Sequence, residues 1–194
     1  METTEIIKRI RFKAADTNEV KYSDYDILLA LNEAYRFFRN ICLDEAPELL
    51  ATEVRKRPVE CNVVFLPMRP IQLLEVRYGG NILHRANHRR IYDTRERGVP
   101  EEYVVSNRCG EPCLLLYPIP QDNHHCEILL VGEVGEIKLE DVLHLPLDYV
   151  ENIVDFTVTR LTGQDSAAFT ELADKLRHQL RKFAPGSCVV DSYY

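Results

Sequence analysis

The chain has 194 residues, of which 45% are hydrophobic and 28% charged, a balance typical of a globular protein. No apolar run approaches the roughly 20 residues that a membrane-spanning helix needs, so we expect a soluble protein with no membrane partner. The formal net charge of -7 argues against a protein that grips nucleic acid over its whole surface, because such binding depends on Lys and Arg side chains neutralising phosphates.

The N-terminal stretch METTEIIKRIRFK carries no apolar segment followed by a small-residue cleavage site, so no secretion signal is expected. Its pattern predicts a short amphipathic helix. The apolar stripe consists of Ile6, Ile7 and Ile10, and the polar side of Lys8, Arg9 and Arg11. The six cysteines of the chain are scattered without a framework pattern, which favours reduced thiols.

A long second helix is predicted between Tyr22 and Pro47. Ser23 can cap its first turn, and Asp26 three residues later completes an arrangement like a capping box. Pro47 is expected to end the run. Apolar residues recur at helical spacing and predict one buried face, made of Ile27, Leu28, Leu31, Ala34, Tyr35, Phe38, Ile41 and Cys42.

From about residue 48 to 137, short apolar stretches alternate with Pro, Gly and Asn, which predicts strands. Gly79 and Gly80 lie between the runs LLEVRY and NILH, and they supply the positive φ angles of a tight hairpin turn. The runs LLLYPIP and CEILLV are predicted to pair as a second hairpin, with its turn near Gln121 and Asp122.

This second predicted hairpin bears on a candidate zinc site, because the stretch contains thiol and imidazole side chains. The candidate ligands are Cys109, Cys113, His124, His125 and Cys126. In the predicted register Tyr117 lies opposite Cys126, and Cys113 lies opposite Leu130. That offset amounts to about 13 Å along the strands. Zinc ligands lie only ~2.0 to 2.3 Å from the metal, so we expect no metal site.

After Leu145 the helical period returns twice. Pro146 suits a first helical position, and Gly163 is expected to end the third helix. Its predicted apolar face consists of Leu147, Val150, Ile153, Val154, Val158 and Leu161. Asp165 or Ser166 can cap a fourth helix. The apolar face of that helix is predicted to consist of Phe169, Leu172, Ala173, Leu176, Leu180 and Phe183.

The predicted fold class is α+β. N- and C-terminal helices form a helical bundle, and a mostly antiparallel β-sheet or small sandwich is inserted between them. We expect residues 1–47 and 138–184 to form the bundle and residues 48–137 to form the β insertion. Residues 185–194 are expected to form an extended C-terminal tail.

Several stretches carry a resemblance to one family. YSDYDILLALNEAYRFF follows the pattern W/Y-S-D-x-x-L-L-x-x-L-N-E-A, and FLPMRPIQLLEVRYGGNIL follows LP-x-D-F-x-x-L-x-x-V-x-x-x-G-x-x-L. GVPEEYVV and LLLYPIP follow G-x-P-x-x-Y and L-x-P-x-P, and LPLDYVENIVDFTVTRL follows LP-x-x-Y-x-x-x-L-V-x-Y. In this order they resemble the head-to-tail adaptor (connector) proteins of tailed phages. The chain departs from the pattern at MRPIQ, where the acidic residue after the proline is absent, and in the cysteine-bearing loop before Leu114.

The resemblance implies a helical bundle with a β insertion that assembles into a ring of about twelve copies under the portal. It implies a structural protein of the virion neck, made in the host bacterial cytoplasm, without a cofactor. The implied partners are other copies of the chain, the portal protein and tail or nozzle proteins. DNA would pass through the ring during genome ejection without sequence-specific contacts.

Independently of the resemblance, the sequence carries no GxSxG elbow, P-loop, GxGxxG or HExxH motif. Cys126 beside His125 is a candidate for nucleophilic catalysis, but neighbouring residues of a strand point to opposite faces. We therefore expect no enzyme and no catalytic residues. The alternatives left open are a non-viral oligomeric binding module without catalytic activity and, third, an enzyme or a metalloprotein.

Two further segments are candidate interaction sites. In HRANHRRIYDTRERG, the basic residues Arg85, Arg89 and Arg90 form a candidate DNA-facing patch, and a solvated linker or short helix is the favoured alternative. The tail SCVVDSYY is expected to reach a neighbouring subunit or the portal by strand addition. Its candidate interface residues are Val189, Val190, Tyr193 and Tyr194. A tail folded back on its own helices is the alternative.

Overall fold

The computed structural model describes residues 1–87, 96–163 and 166–182. The chain divides into two compact units. A helical unit combines Met1–Ala46 with the chain from Gly135 onward, and a β unit consists of Pro47–Val134. The fold is therefore α+β, with a β unit inserted between helices that come from both sides of it.

The helical unit contains four described helices, α1 (Thr3–Lys13), α2 (Asp24–Glu45), α3 (Leu147–Thr162) and α4 (Ser166–Arg181). The predicted cap of α2 is confirmed: the Ser23 side chain accepts from the Asp26 backbone N–H, and the Asp26 carboxylate accepts from the Ser23 N–H. Helix α3 ends as predicted at Gly163, which has the left-handed φ of 63°. Local signals thus set where α2 begins and where α3 ends.

Helix α2 packs against α3 and α4, and α1 packs against α3. Phe37, Phe156 and Phe169, from α2, α3 and α4, stack with ring centroids 4.6 to 5.2 Å apart. The fully enclosed apolar side chains of this core include Ile6, Ile10, Ile27, Leu31, Phe38 and Ile153. Most of the predicted apolar faces therefore meet in one interior.

Two predictions of exposure in the helical unit were wrong. Arg11, expected on the polar side of α1, is buried, because the loop between α1 and α2 folds over it and supplies hydrogen-bond acceptors. Leu147, expected in the buried face of α3, is 53% exposed. It is the first residue of α3, and helix ends often depart from the periodic pattern of the interior turns.

The described part of the β unit, which omits residues 88–95, contains ten short strands and one 3-10 turn at Pro47–Leu50. The strands are β1 (Thr52–Lys56), β2 (Val63–Phe65), β3 (Pro70–Tyr78), β4 (Asn81–Ile82), β5 (His84–Arg85), β6 (Arg97–Gly98), β7 (Glu102–Arg108), β8 (Glu111–Tyr117), β9 (Ile119–Pro120) and β10 (Cys126–Gly132). One sheet has the order β1-β10-β3-β4 and is antiparallel. The other has the order β2-β8-β7-β5, in which β5 alone runs parallel to its neighbour. Strands β6 and β9 form a small parallel pair.

The two four-stranded sheets face each other across a shared apolar core, which makes the β unit a small sandwich. The first sheet contributes Val54, Val76, Tyr78, Cys126, Ile128 and Leu130. The second contributes Val64, Tyr103, Leu114 and Leu116. Strand β8 is also buried on its other face, where Cys113 and Leu115 pack with Val63 and Val104.

The predicted hairpin at Gly79 and Gly80 is confirmed, since β3 pairs with β4 and both glycines have positive φ. The predicted hairpin of LLLYPIP with CEILLV was wrong. Strand β8 pairs with β2 and β7, whereas β10 pairs with β1 and β3 in the other sheet. Residues 118–125 therefore cross from one sheet to the other, and β8 instead forms a hairpin with β7.

The unit boundaries fall at 46/47 and 134/135, beside the boundaries expected from composition at 47/48 and 137/138. Among the described residues, none of the helices is both long enough and apolar enough to cross a bilayer.

Candidate functional site

The cysteine- and histidine-rich stretch is divided between the two sheets. Cys109 lies exposed in the β7–β8 turn, whereas Cys113 and Cys126 are fully buried in different parts of the interior. Within the part of the chain that the structure describes, no three His, Cys, Asp or Glu side chains are grouped so that they could hold a metal ion. The hairpin predicted between these runs was wrong: Cys113 and Cys126 are separated because their strands belong to different sheets, and Cys109, His124 and His125 lie in turns outside the strands.

The turn before β10 is held by one buried phenol. The Tyr78 hydroxyl lies 2.8 Å from the Asp122 carbonyl oxygen, to which it donates, and it accepts from the His124 backbone N–H at 3.1 Å. Burial and the bond to Asp122 raise the pKa of Tyr78 to about 12, so the phenol stays protonated near neutral pH. Tyr78 therefore fixes the turn structurally.

Cys126 follows His125 directly, but its thiol points into the sandwich core. Burial raises the pKa of Cys126 to about 12, so the reactive thiolate is scarce near neutral pH. The His125 imidazole instead lies with its Nε2 3.3 Å from the Arg57 Nε, which donates to it. This arrangement disfavours a cysteine–histidine nucleophile at these positions.

Only one of the three candidate basic-patch residues lies within the described residues. Arg85 is exposed in β5, opposite Tyr103 of the parallel strand β7. Arg89 and Arg90 lie outside the described residues, and so do the tail residues Val189, Val190, Tyr193 and Tyr194. The patch and the tail interface therefore stay predictions.

The pattern LNEA, part of the adaptor resemblance, lies in α2. Asn32 is buried, and its side chain bonds to both backbone groups of one residue of the returning chain: Nδ2 donates to the Ile137 carbonyl at 3.0 Å, and Oδ1 accepts from the Ile137 N–H at 2.7 Å. The next residue, Glu33, pairs with Arg160 of α3 at 2.8 Å. The motif thus joins α2 to the segment that re-enters the helical unit after the β unit.

A second buried polar cluster closes the loop between α1 and α2. The Arg11 guanidinium donates to the Asp16 carboxylate at 2.8 Å, to the Tyr22 carbonyl at 3.0 Å and to the Asp24 carboxylate at 2.6 Å. Asp16 also accepts from the backbone N–H groups of residues 20–22. The Lys21 N–H, and after it the other two backbone donors and the Arg11 charge, hold the pKa of Asp16 below its usual value.

Sequence reasoning missed the roles of Asn32 and Arg11. Polar residues are seldom fully buried, so a periodic pattern assigns them to the surface. One signal was available for Arg11: an aspartate five residues later in a short, non-apolar loop could have suggested a paired charge. Both clusters are built to fix the fold, with hydrogen-bond partners on each buried polar group.

Comparison of the chain with protein-family models found no match, and comparison with curated proteins found none either.

Proposed function

We propose that the chain is a structural protein of the virion neck, a head-to-tail adaptor that forms a ring between portal and tail through which DNA passes. It acts through interfaces and a central channel and carries out no chemistry. The proposal has its origin in the sequence resemblance, and it extends to the partners that the resemblance implies.

The observation that carries the proposal is the placement of the motif helix. The adaptor resemblance implies helices from both ends of the chain with a β insertion between them, and the chain has this arrangement. The motif residue Asn32 bonds to the backbone at Ile137, just after the chain leaves the β unit. The LNEA motif, which is part of the resemblance, therefore also has a structural role in this fold.

Charge supports the channel part of the proposal. The chain carries 31 acidic and 24 basic side chains, so its surface as a whole repels phosphate. A channel through which DNA must slide works best when it does not hold phosphates, because each contact with Lys or Arg adds to binding. An acidic subunit fits this requirement.

The test is electron microscopy of the purified full chain mixed with candidate portal rings. The proposal predicts a closed ring of about twelve copies stacked coaxially on the portal. A chain that stays monomeric or dimeric in the presence of its portal would overturn it. Rings that form without any affinity for portals would favour the alternative of a non-viral oligomeric binding module.

A further inference from the structure

Strand β1 forms one edge of the first sheet. It pairs with β10 on one side, and no strand in the described part of the chain pairs with it on the other. Alternate residues of an edge strand direct their backbone N–H and C=O groups away from the sheet. All residues of β1 except Val54 are exposed, so the strand is accessible to a partner. Such an edge can accept one further strand.

The edge is guarded by charge alone. Proteins usually protect edge strands with prolines, bulges or charged side chains. The sequence of β1, TEVRK, contains no proline, and its register with β10 is unbroken along its whole length. Val54 points into the sandwich core, so the neighbouring side chains of Glu53 and Arg55 lie on the outer face of the sheet. The pattern of these charges therefore decides which strand can pair with β1.

The outer face of this sheet has one carboxylate more than it can pair. Arg55 bonds to Glu127 at 2.8 Å, and Arg77 bonds to Glu75 at 2.6 Å. Glu53 lines the same shallow depression as these carboxylates, and within the described residues it forms no ion pair. An added strand that complements this edge should therefore place a basic side chain opposite Glu53 and an acidic one opposite Arg55.

Strand β1 meets both requirements itself. We propose that β1 pairs antiparallel with β1 of a second copy around a two-fold axis at Val54, an inference that does not depend on the proposed ring. Glu53 then lies opposite Arg55 of the second copy, and Thr52 lies opposite Lys56. Arg55 keeps its bond to Glu127, because a guanidinium group has enough donors for two carboxylates. The two Val54 side chains lie on one face of the joined sheet, which both cores already cover.

The other registers are disfavoured. A shift by one residue would place the apolar face of one copy beside the charged face of the other. A shift by two residues would place Glu53 opposite Glu53 or Arg55 opposite Arg55, and an in-register parallel pair would do both. Like charges directly opposite each other are destabilising. The charge pattern of β1 thus selects a single arrangement of two copies.

The contact has a defined stoichiometry. The same surface is used on both copies, so the assembly closes at two. Five residues from each copy make a small interface, which predicts a weak and reversible dimer. Neighbours in a cyclic ring meet through two different surfaces, so the β1 contact belongs to the chain outside the proposed ring.

The test is sedimentation of the full chain over a range of concentrations, at neutral pH and low salt under reducing conditions. A reversible monomer–dimer equilibrium is expected. Glu53→Arg alone and Arg55→Glu alone are each expected to weaken the dimer about tenfold, because both cross-strand pairs become like-charged. The double variant is expected to dimerise like wild type. An equimolar mixture of the two single variants is expected to form mixed dimers, since all cross-strand charges are then opposite again.

Two control variants make the same changes of net charge elsewhere. Glu111→Arg and Arg69→Glu alter exposed positions outside β1, and Arg69, like Arg55, has one carboxylate partner. Both are expected to leave the dimer unchanged, and circular dichroism checks that every variant is folded. A wild-type chain that stays monomeric up to millimolar concentration would overturn the inference. So would a dimer that neither single substitution weakens, or single variants that do not recombine when mixed.

The sedimentation assay and the portal assay fail independently. A chain that dimerises in solution but forms no ring on the portal keeps the β1 contact and loses the proposed function. A chain that is monomeric alone and forms a ring on the portal does the reverse.

Discussion

At the scale of single residues, the helical unit depends on a few fully enclosed side chains and on two polar groups whose partners are all inside the protein. Leu31 is completely buried in α2, and Asn32 beside it is 8% exposed. A charge introduced at Leu31 would lose its hydration inside the apolar core. Removing the Asn32 side chain would instead leave the backbone groups that it bonds to without hydrogen-bond partners. The two neighbours therefore allow separate tests.

Leu31→Asp is expected to unfold the helical unit, with a loss of more than about 3 kcal/mol in the free energy of unfolding. The aspartate would lie in the apolar interior without a partner. Urea denaturation followed by circular dichroism measures the loss. Leu29→Asp, two residues earlier and 52% exposed, is the control and should change little. An unchanged midpoint for Leu31→Asp would contradict the burial of this face.

Asn32→Leu is expected to lower the free energy of unfolding by about 2 kcal/mol, because the N–H and carbonyl of Ile137 would lose their partners inside the protein. Chemical denaturation checks this. The same substitution at Asn40, an exposed position of α2, is the control. If both variants lose the same free energy of unfolding, the two hydrogen bonds between Asn32 and Ile137 do not contribute to stability.

The Asp16 cluster predicts a pH dependence. Asp16 has a folded pKa below its unfolded value, so its contribution is fully present above the unfolded pKa, near 3.9, and is lost as pH falls through the folded pKa. Asp16→Asn should therefore destabilise the chain at pH 7, and the difference from wild type should shrink on acidification below about pH 4. Thermal melts across pH measure it, with Glu140→Gln, on the surface, as the control. A difference that grows on acidification would refute this sign.

At the scale of elements, helices and sheets differed in how far the sequence predicted them. The four described helices follow from residue spacing, and the buried face of α2 and, up to Leu180, that of α4 lie largely as expected, while Phe183 lies outside the described residues. The longer strands other than β1 were predicted, but one pairing was wrong: β8 and β10 are near neighbours along the chain yet belong to different sheets. The alternation of apolar and polar residues along a strand shows which face is buried, but it does not show which strand is the pairing partner.

The β7–β8 turn tests the geometry that the sequence did not reveal. Cys109 and Gly110 have φ angles of 54° and 88°, as in the mirror-image turn that favours Asn followed by Gly. Gly110→Ala is expected to cost roughly 1 kcal/mol, because a side chain is strained in this conformation. Cys109→Asn should raise the melting temperature, since Asn tolerates a left-handed backbone better. A stabilising Gly110→Ala would mean that the turn adopts another form.

At the scale of the whole molecule, the chain consists of a helical unit interrupted by a β sandwich. Each unit has its own core: the helical unit is filled by apolar side chains from all four described helices, and the β unit by facing residues of two sheets. In the proposed ring, interfaces between copies would use surfaces and segments outside these two cores. Residues 187–194 are the segment that the proposed ring assigns to this purpose.

Deleting residues 187–194 is expected to leave the melting temperature of the monomer nearly unchanged and to weaken assembly onto the portal, because the segment follows α4 in the sequence and terminal segments seldom carry a core. Calorimetry measures the first effect and electron microscopy with portal rings the second. A truncated chain that assembles normally, or one that loses its fold, would refute the tail's role.

The sequence by itself determined the local features of this protein. The capping box at Ser23, the end of α3 at Gly163 and the turn at Gly79 and Gly80 depend on residues a few positions apart, so their signals are complete within a short stretch. The apolar faces of the helices and the α+β class follow from the same short-range periodicity.

Tertiary structure alone decided the rest. The pairing of β8 and β10 and the hydrogen bonds between Asn32 and Ile137 join residues far apart in the chain. The burial of Arg11 encloses a polar group of a kind that is usually exposed. Burying such a group is favourable only when the fold supplies its hydrogen-bond partners. Whether a distant carbonyl or carboxylate arrives at the right place depends on how all the elements pack together, and no local pattern encodes that.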